Sequence, residues 1–120
     1  MKIILTTTAP NIDSDVDPRF GRGAYLLVVD TDTLQVEGHP NPGVNTSGGA
    51  GIQAAQFAAN QKAEAVISGD FGPNAFDALK AAGIAMYLYG DCGTARQAVG
   101  RFKAGRLQQV GTPTQSRHHG

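Results

Sequence analysis

The chain has 120 residues, 41% of them hydrophobic and 17% charged, and its ten basic and ten acidic side chains cancel. That size and apolar content suit one packed domain and exclude wholesale disorder. Charge balance removes the clustered Lys and Arg on which nucleic-acid binding depends, and no apolar run approaches the roughly 20 residues that span a bilayer. A single cysteine excludes an internal disulfide and a four-cysteine zinc site. The expectation is a cytoplasmic protein with neither nucleic acid nor membrane as partner.

Residues 2–8 are β-branched and apolar and stop at Ala9-Pro10, the pattern of a buried first strand. Residues 11–23 form a polar loop that holds Asp13, Asp15 and Asp17 and then Pro18-Arg19-Phe20-Gly21-Arg22. Residues 24–30 are the most apolar run and predict a central strand. Beyond the turn Thr31-Asp32-Thr33, residues 34–37 alternate and predict the outer arm of a hairpin. Residues 38–49, with two prolines and several glycines, predict a long loop of the kind that is usually functional.

The second half changes rhythm. Residues 51–61 predict a helix with Ile52, Ala55 and Ala59 on its inner face, and residues 63–68 a short buried strand. A helix opens at Pro73, carries Phe76 and Leu79, and stops at Gly83. Residues 84–89 predict the next strand. Thr94 is the predicted N-cap of a last helix with Ala95, Ala98, Val99 and Phe102 on one stripe, closed by Gly105. Residues 107–110 predict a short extension and residues 111–120 a disordered tail, so residues 1–110 form one domain. The order implies an α/β fold with a five-stranded mixed sheet, one antiparallel strand and three main helices.

Three glycine-rich segments lead into helices: Ser47-Gly48-Gly49-Ala50-Gly51, Gly69-Asp70-Phe71-Gly72-Pro73-Asn74 and Gly90-Asp91-Cys92-Gly93-Thr94. Loops at the carboxyl ends of parallel strands share one edge of the sheet, and ligands settle there. Each helix start offers unpaired N–H groups and partial positive charge, so three such turns on one edge would make an anion site, although any one of them also serves as an ordinary turn. Arg19 and Arg22 could add charge to it, or pair with Asp13, Asp15 or Asp17. Cys92, before a helix, and His39, in the long loop, are the candidate metal ligands, against a buried apolar thiol and a solvated imidazole as the plainer roles.

Rival chemistries fail on context. Gly49-Ala50-Gly51-Ile52-Gln53-Ala54 matches a dinucleotide-binding pattern but does not follow its strand directly. The first strand lacks the carboxylates of a two-metal nuclease, and no serine or cysteine has the histidine partner of a hydrolase. A binding or carrier role is expected rather than an enzyme; the alternative is a protein-interaction domain that uses residues 38–49 and holds no cofactor.

Phe20-Gly21-Arg22, Gly48-Gly49-Ala50-Gly51 and Gly72-Pro73-Asn74-Ala75-Phe76, in this order between the predicted strands, resemble the dinitrogenase iron–molybdenum cofactor biosynthesis family, with NifX-type carriers and the C-terminal domain of NifB-type proteins among its members. The resemblance spans roughly residues 1 to 110 and is strongest to the small orange-protein branch, associated with a molybdenum–copper sulfide cluster. It implies a ribonuclease-H-like fold and the carriage of a preassembled anionic cluster, a molybdenum–copper sulfide first and an iron–molybdenum precursor second, with a recipient or regulatory protein as possible partner. The implied contacts are Arg19, Phe20, Gly21, Arg22, Ser47, Gly48, Gly49, Phe71, Gly72, Asn74 and Gly93. Some relatives carry histidine where this chain has Arg19 or Asn45-Thr46-Ser47, so few side-chain ligands are expected.

Overall fold

The computed structural model describes residues 1–44 and 48–111. Its elements are β1 (Lys2–Thr7), β2 (Tyr25–Asp30), β3 (Val36–Pro40), α1 (Ala50–Asn60), β4 (Ala65–Ser68), α2 (Pro73–Ala81), β5 (Ala85–Leu88) and α3 (Ala95–Lys103). The sheet runs β3-β2-β1-β4-β5. β2 is antiparallel to both neighbours, whereas β1, β4 and β5 are mutually parallel. This is the mixed sheet with one antiparallel strand that the sequence predicts.

Strand alternation divides the core between two faces. Ile4, Leu26, Val28 and Val66 point to the face covered by α1 and α2, where they meet Ala54, Ala58, Phe76 and Leu79. Ile3, Leu5, Leu27, Val29 and Ile67 point to the other face and pack on Ala95, Ala98 and Val99 of α3. With both faces covered, β1 is buried from Ile3 through Thr7. The extension beyond α3 lies along β5: Leu88 N–H donates to the Gln108 carbonyl at 3.0 Å and Val110 N–H to the Met86 carbonyl at 2.8 Å.

Residues 25–30 form β2, an inner strand between β3 and β1 as the sequence predicts, and β1 holds the middle of the sheet. Two expectations are corrected. Residues 38–40 belong to β3, so the loop begins at Asn41. Gly38 and Pro40 look like breakers, but a proline is tolerated on an edge strand. Gly38 is there because a Cβ would stand 2.4 Å from Cβ of Pro10. The inner face of α1 is Ala50, Ala54, Ala55 and Ala58, while Ile52 and Ala59 face solvent. Small side chains let α1 approach α2 so closely that a Cβ on Gly51 would lie 2.8 Å from that of Ala75. Ser47 and residues 112–120 lie outside the described residues.

Candidate anion-binding site

The carboxyl ends of β1 and β4 point to one end of the sheet, and three segments close around a cavity of about 350 Å³ there. One wall is Arg19-Phe20-Gly21-Arg22, the second is the start of α1 at Ala50 and Gly51, and the third runs from Asp70 through Gly72 to Ala75 at the start of α2.

Both helix starts lack a side-chain cap. At α1 the N-cap is Gly49, held at φ 71°, a left-handed conformation that favours glycine. At α2 the N-cap is Gly72, followed by Pro73, which has no N–H to satisfy. The positive ends of two helix dipoles and first-turn amides therefore border one cavity, the arrangement that favours an anion. Close approach explains two further glycines. A Cβ on Gly21 would stand 2.8 Å from the Gly51 nitrogen, and one on Gly43 would stand 2.5 Å from the carbonyl oxygens of Ala50 and Gly21.

Two buried polar residues hold the arginine wall in place. Asp17 accepts from the Arg19 backbone N–H at 3.0 Å and from its Nε and guanidinium NH2 at 3.2 Å each. This contact holds the guanidinium above its ordinary pKa. Asp17 is itself tied to the end of β1: its N–H donates to the Thr6 carbonyl at 2.9 Å, and the Thr6 hydroxyl donates to the Asp17 carbonyl at 2.6 Å. The buried Tyr89 hydroxyl donates to the Thr6 carbonyl as well. Burial pushes that phenol far up, so it remains a neutral donor. On the other side Asn41, 2% exposed, donates through its amide to the Phe20 carbonyl at 2.9 Å and accepts from Gly43 N–H at 3.0 Å. Arg22 reaches the Gly43 carbonyl at 3.4 Å.

Of the candidate residues, Arg19, Phe20, Gly21, Arg22, Gly72 and Asn74 line the cavity. Gly48 and Gly49 stand exposed at the entry to α1. The Phe71 ring is fully buried and packs against Phe20 with centroids 5.5 Å apart, so it supports the wall from behind instead of lining it.

The third glycine turn does not border this cavity. Gly93 and Cys92 lie on the α3 face, where Cys92 is buried and borders a separate cavity with Pro18, Gly69 and Arg101. Thr94 caps α3 in a capping box with Gln97, and Ala95 and Arg96 N–H groups donate to the carbonyls of Ser14 and Ile12. All three turns lie toward the carboxyl ends of the parallel strands, but two border the anion cavity while the third borders the neighbouring one, which it shares with Gly69. His39 is on β3, with Nε2 3.2 Å from Glu37 Oε1 and its ring against Phe57. No group of three or more His, Cys, Asp or Glu able to hold a metal ion occurs among the described residues.

Asp17 is one of the three acids that the sequence offers as partners of Arg19, and the structure selects it. The sequence does not single out Asn41, and that both residues are buried follows only from the tertiary fold.

No curated protein sequence matches the chain. Among the described residues, no helix is long and apolar enough to cross a membrane. The apo form of the orange protein from Desulfovibrio gigas superposes with a TM-score of 0.90 at 42% identity, over 95% of this chain and 96% of that one. A Thermotoga protein solved by NMR under the NifB name superposes with a TM-score of 0.82 at 31% identity, over 95% and 97%. The family described as dinitrogenase iron-molybdenum cofactor matches residues 1–105. Coverage on this scale leaves one assignment: the chain belongs to the dinitrogenase iron–molybdenum cofactor family, which supports a role in binding or carrying a cofactor.

Proposed function

We propose that the cavity between α1, α2 and residues 19–22 receives a preassembled, negatively charged molybdenum–copper sulfide cluster as cargo and releases it to a recipient protein. The observation that carries this reading is the convergence of two uncapped helix starts and two arginines on one cavity. A cluster whose metals are already ligated by sulfide needs hydrogen-bond donors and positive potential from its host, not thiolates or imidazoles. Backbone amides of α1 and α2 would face the sulfides and the Arg22 guanidinium would add charge, with the Asp70 carboxylate in the same lining as an opposing charge. Membership in the family and the likeness to the orange protein support cargo of this class.

The test is to mix the purified protein with tetrathiomolybdate and copper. The expected result is a coloured complex in which molybdenum and copper co-elute with the protein. The Arg22→Ala variant should bind about tenfold more weakly, the loss of one charge-assisted hydrogen bond of about 1.5–3 kcal/mol, with its fold intact. Uptake of an iron–molybdenum–sulfur precursor in preference to the copper cluster would reassign the cargo. Absence of uptake of either would overturn the reading.

A further inference from the structure

We propose that a groove on the face opposite the cavity docks a partner protein that presents an apolar side chain flanked by carboxylates. The groove, about 330 Å³, lies between the β2–β3 turn and α3; Ile12, Val29, Leu34, Val36, Val99 and Gly100 line it. It is on the α3 side of the sheet, whereas the anion cavity is bordered by α1 and α2. A protein seated there leaves the cavity open.

Two residues of this groove are unfavourable choices for the fold itself. Leu34 holds φ 62° with 58% of its surface exposed. Its N–H donates to the Asp30 carbonyl at 2.8 Å, closing a hairpin turn at a position where glycine or asparagine relieves the strain. The other non-glycine residue at positive φ, Lys62, follows the C-cap of α1, where helix ends ordinarily adopt that conformation. Gly100 sits inside α3, where glycine weakens a helix, yet an added Cβ would meet nothing within 4 Å. Neither choice serves packing within the chain. Together they place an exposed leucine and a bare helix position in the lining of the groove.

Charge selects the occupant. Arg96 and Lys103 border the groove. Arg96 shares its fork with Asp13 at 2.7 and 3.2 Å, and Lys103 has no carboxylate partner among the described residues. Asp32, in the same turn as Leu34, is bound to the Met1 ammonium at 3.0 Å. With Arg96 engaged by Asp13, Lys103 is the cation that the rim offers a newcomer, and a partner with a carboxylate beside its apolar side chain complements it.

The test titrates isotope-labelled full-length protein with two synthetic peptides, one with leucine flanked by glutamates and one with the same leucine flanked by lysines. The glutamate peptide is expected to shift the amides of Leu34, Val36 and Gly100 saturably, and salt should weaken it. Gly100→Met, which fills the groove, should weaken that binding at least tenfold and leave cluster uptake unchanged. Leu34→Gly and Gly100→Ala should each raise the melting temperature by roughly 2–4 °C. Equal binding of the lysine peptide, no saturable shifts with either, shifts at the same amides on concentrating the protein alone, or a lower melting temperature for both stability variants would each overturn the proposal.

Discussion

The start of α3 and the starts of α1 and α2 are written in similar sequence, a glycine-rich turn and then a helix, but they differ in where their N–H groups go. At α3 the Thr94 hydroxyl accepts from Gln97 N–H, the Gln97 side chain accepts from Gly93 N–H at 2.8 Å, and the Ser14 and Ile12 carbonyls take the next two donors. At α1 and α2 no side chain takes that role. A capped start is a joint that holds the chain together. An uncapped start beside a cavity keeps its dipole and donors for a guest. Glycine content alone does not separate the two cases; the residue at the N-cap does.

The comparison breaks most severely if the two open starts are pushed away from the arginine wall. Gly21→Ala would place a Cβ 2.8 Å from the Gly51 nitrogen and 3.1 Å from the Ala50 carbonyl carbon, both backbone atoms that cannot rotate aside. The expected result is a loss of cluster affinity of tenfold or more and a destabilisation of about 1–3 kcal/mol, the usual range for overpacking. Gly48→Ala is the matched control, because nothing lies within 4 Å of its added Cβ. Its uptake and melting temperature should match the parent's. Titration with tetrathiomolybdate and copper alongside thermal unfolding reads both quantities.

Asn41 sharpens the comparison from the other side of the wall. Asn41→Ala leaves the buried Phe20 carbonyl without its 2.9 Å donor and Gly43 N–H without its 3.0 Å acceptor. An unsatisfied buried polar group costs about 1–3 kcal/mol. Uptake should fall further than for a core variant of equal instability, such as Ala98→Gly on the α3 face, because Asn41 acts on the wall that carries Arg22. Equal losses in the two variants would reduce Asn41 to a purely structural residue.

Much of this frame is legible in the sequence. Apolar runs such as residues 2–8 locate strands, Thr94 and Pro73 locate helix starts, and Phe20-Gly21-Arg22 with Gly72-Pro73-Asn74 mark two walls of the cavity. What escapes is set by contacts distant along the chain. Gly38 looks like a loop residue until Pro10 is placed against it, and Gly93 looks like Gly72 until the loop carrying Ser14 and Ile12 is folded over α3. Phe71 looks like a ligand contact because it lies in a glycine loop; its ring is instead among the largest fully buried groups and belongs to the core. Asp17 is legible as one of three possible partners of Arg19, but its selection over Asp13 and Asp15 depends on its burial against Thr6 at the end of β1.

A smaller effect is expected at the closed helix start. Thr94→Ala removes the hydroxyl that accepts from Gln97 N–H at 3.3 Å and breaks the capping box. Loss of an N-cap of this kind costs about 1 kcal/mol, which lowers the melting temperature by roughly 3–6 °C in a domain of this size. Cluster uptake at a temperature where the variant is folded should be unchanged. A loss of uptake would mean that the α3 start takes part in the site after all.

Cys92 is expected to show the least effect on cargo, and its response to pH tests the same division. The thiol is 7% exposed, and burial pushes its pKa above the ordinary value, against which the nearby Arg101 acts only as a smaller opposing influence. The native thiol is therefore protonated at neutral pH, and alkylation by iodoacetamide should be slow, with a midpoint above that of a free cysteine. Because the unfolded chain ionises first, it binds fewer protons than the native one above the free-thiol range, so stability should fall as pH rises there. Cys92→Ala should remove that alkaline dependence and leave cluster uptake and spectrum as they were, since the thiol borders the cavity on the α3 face. A changed charge-transfer band in that variant would place sulfur from this chain on the metal and erase the distinction between the open and closed helix starts.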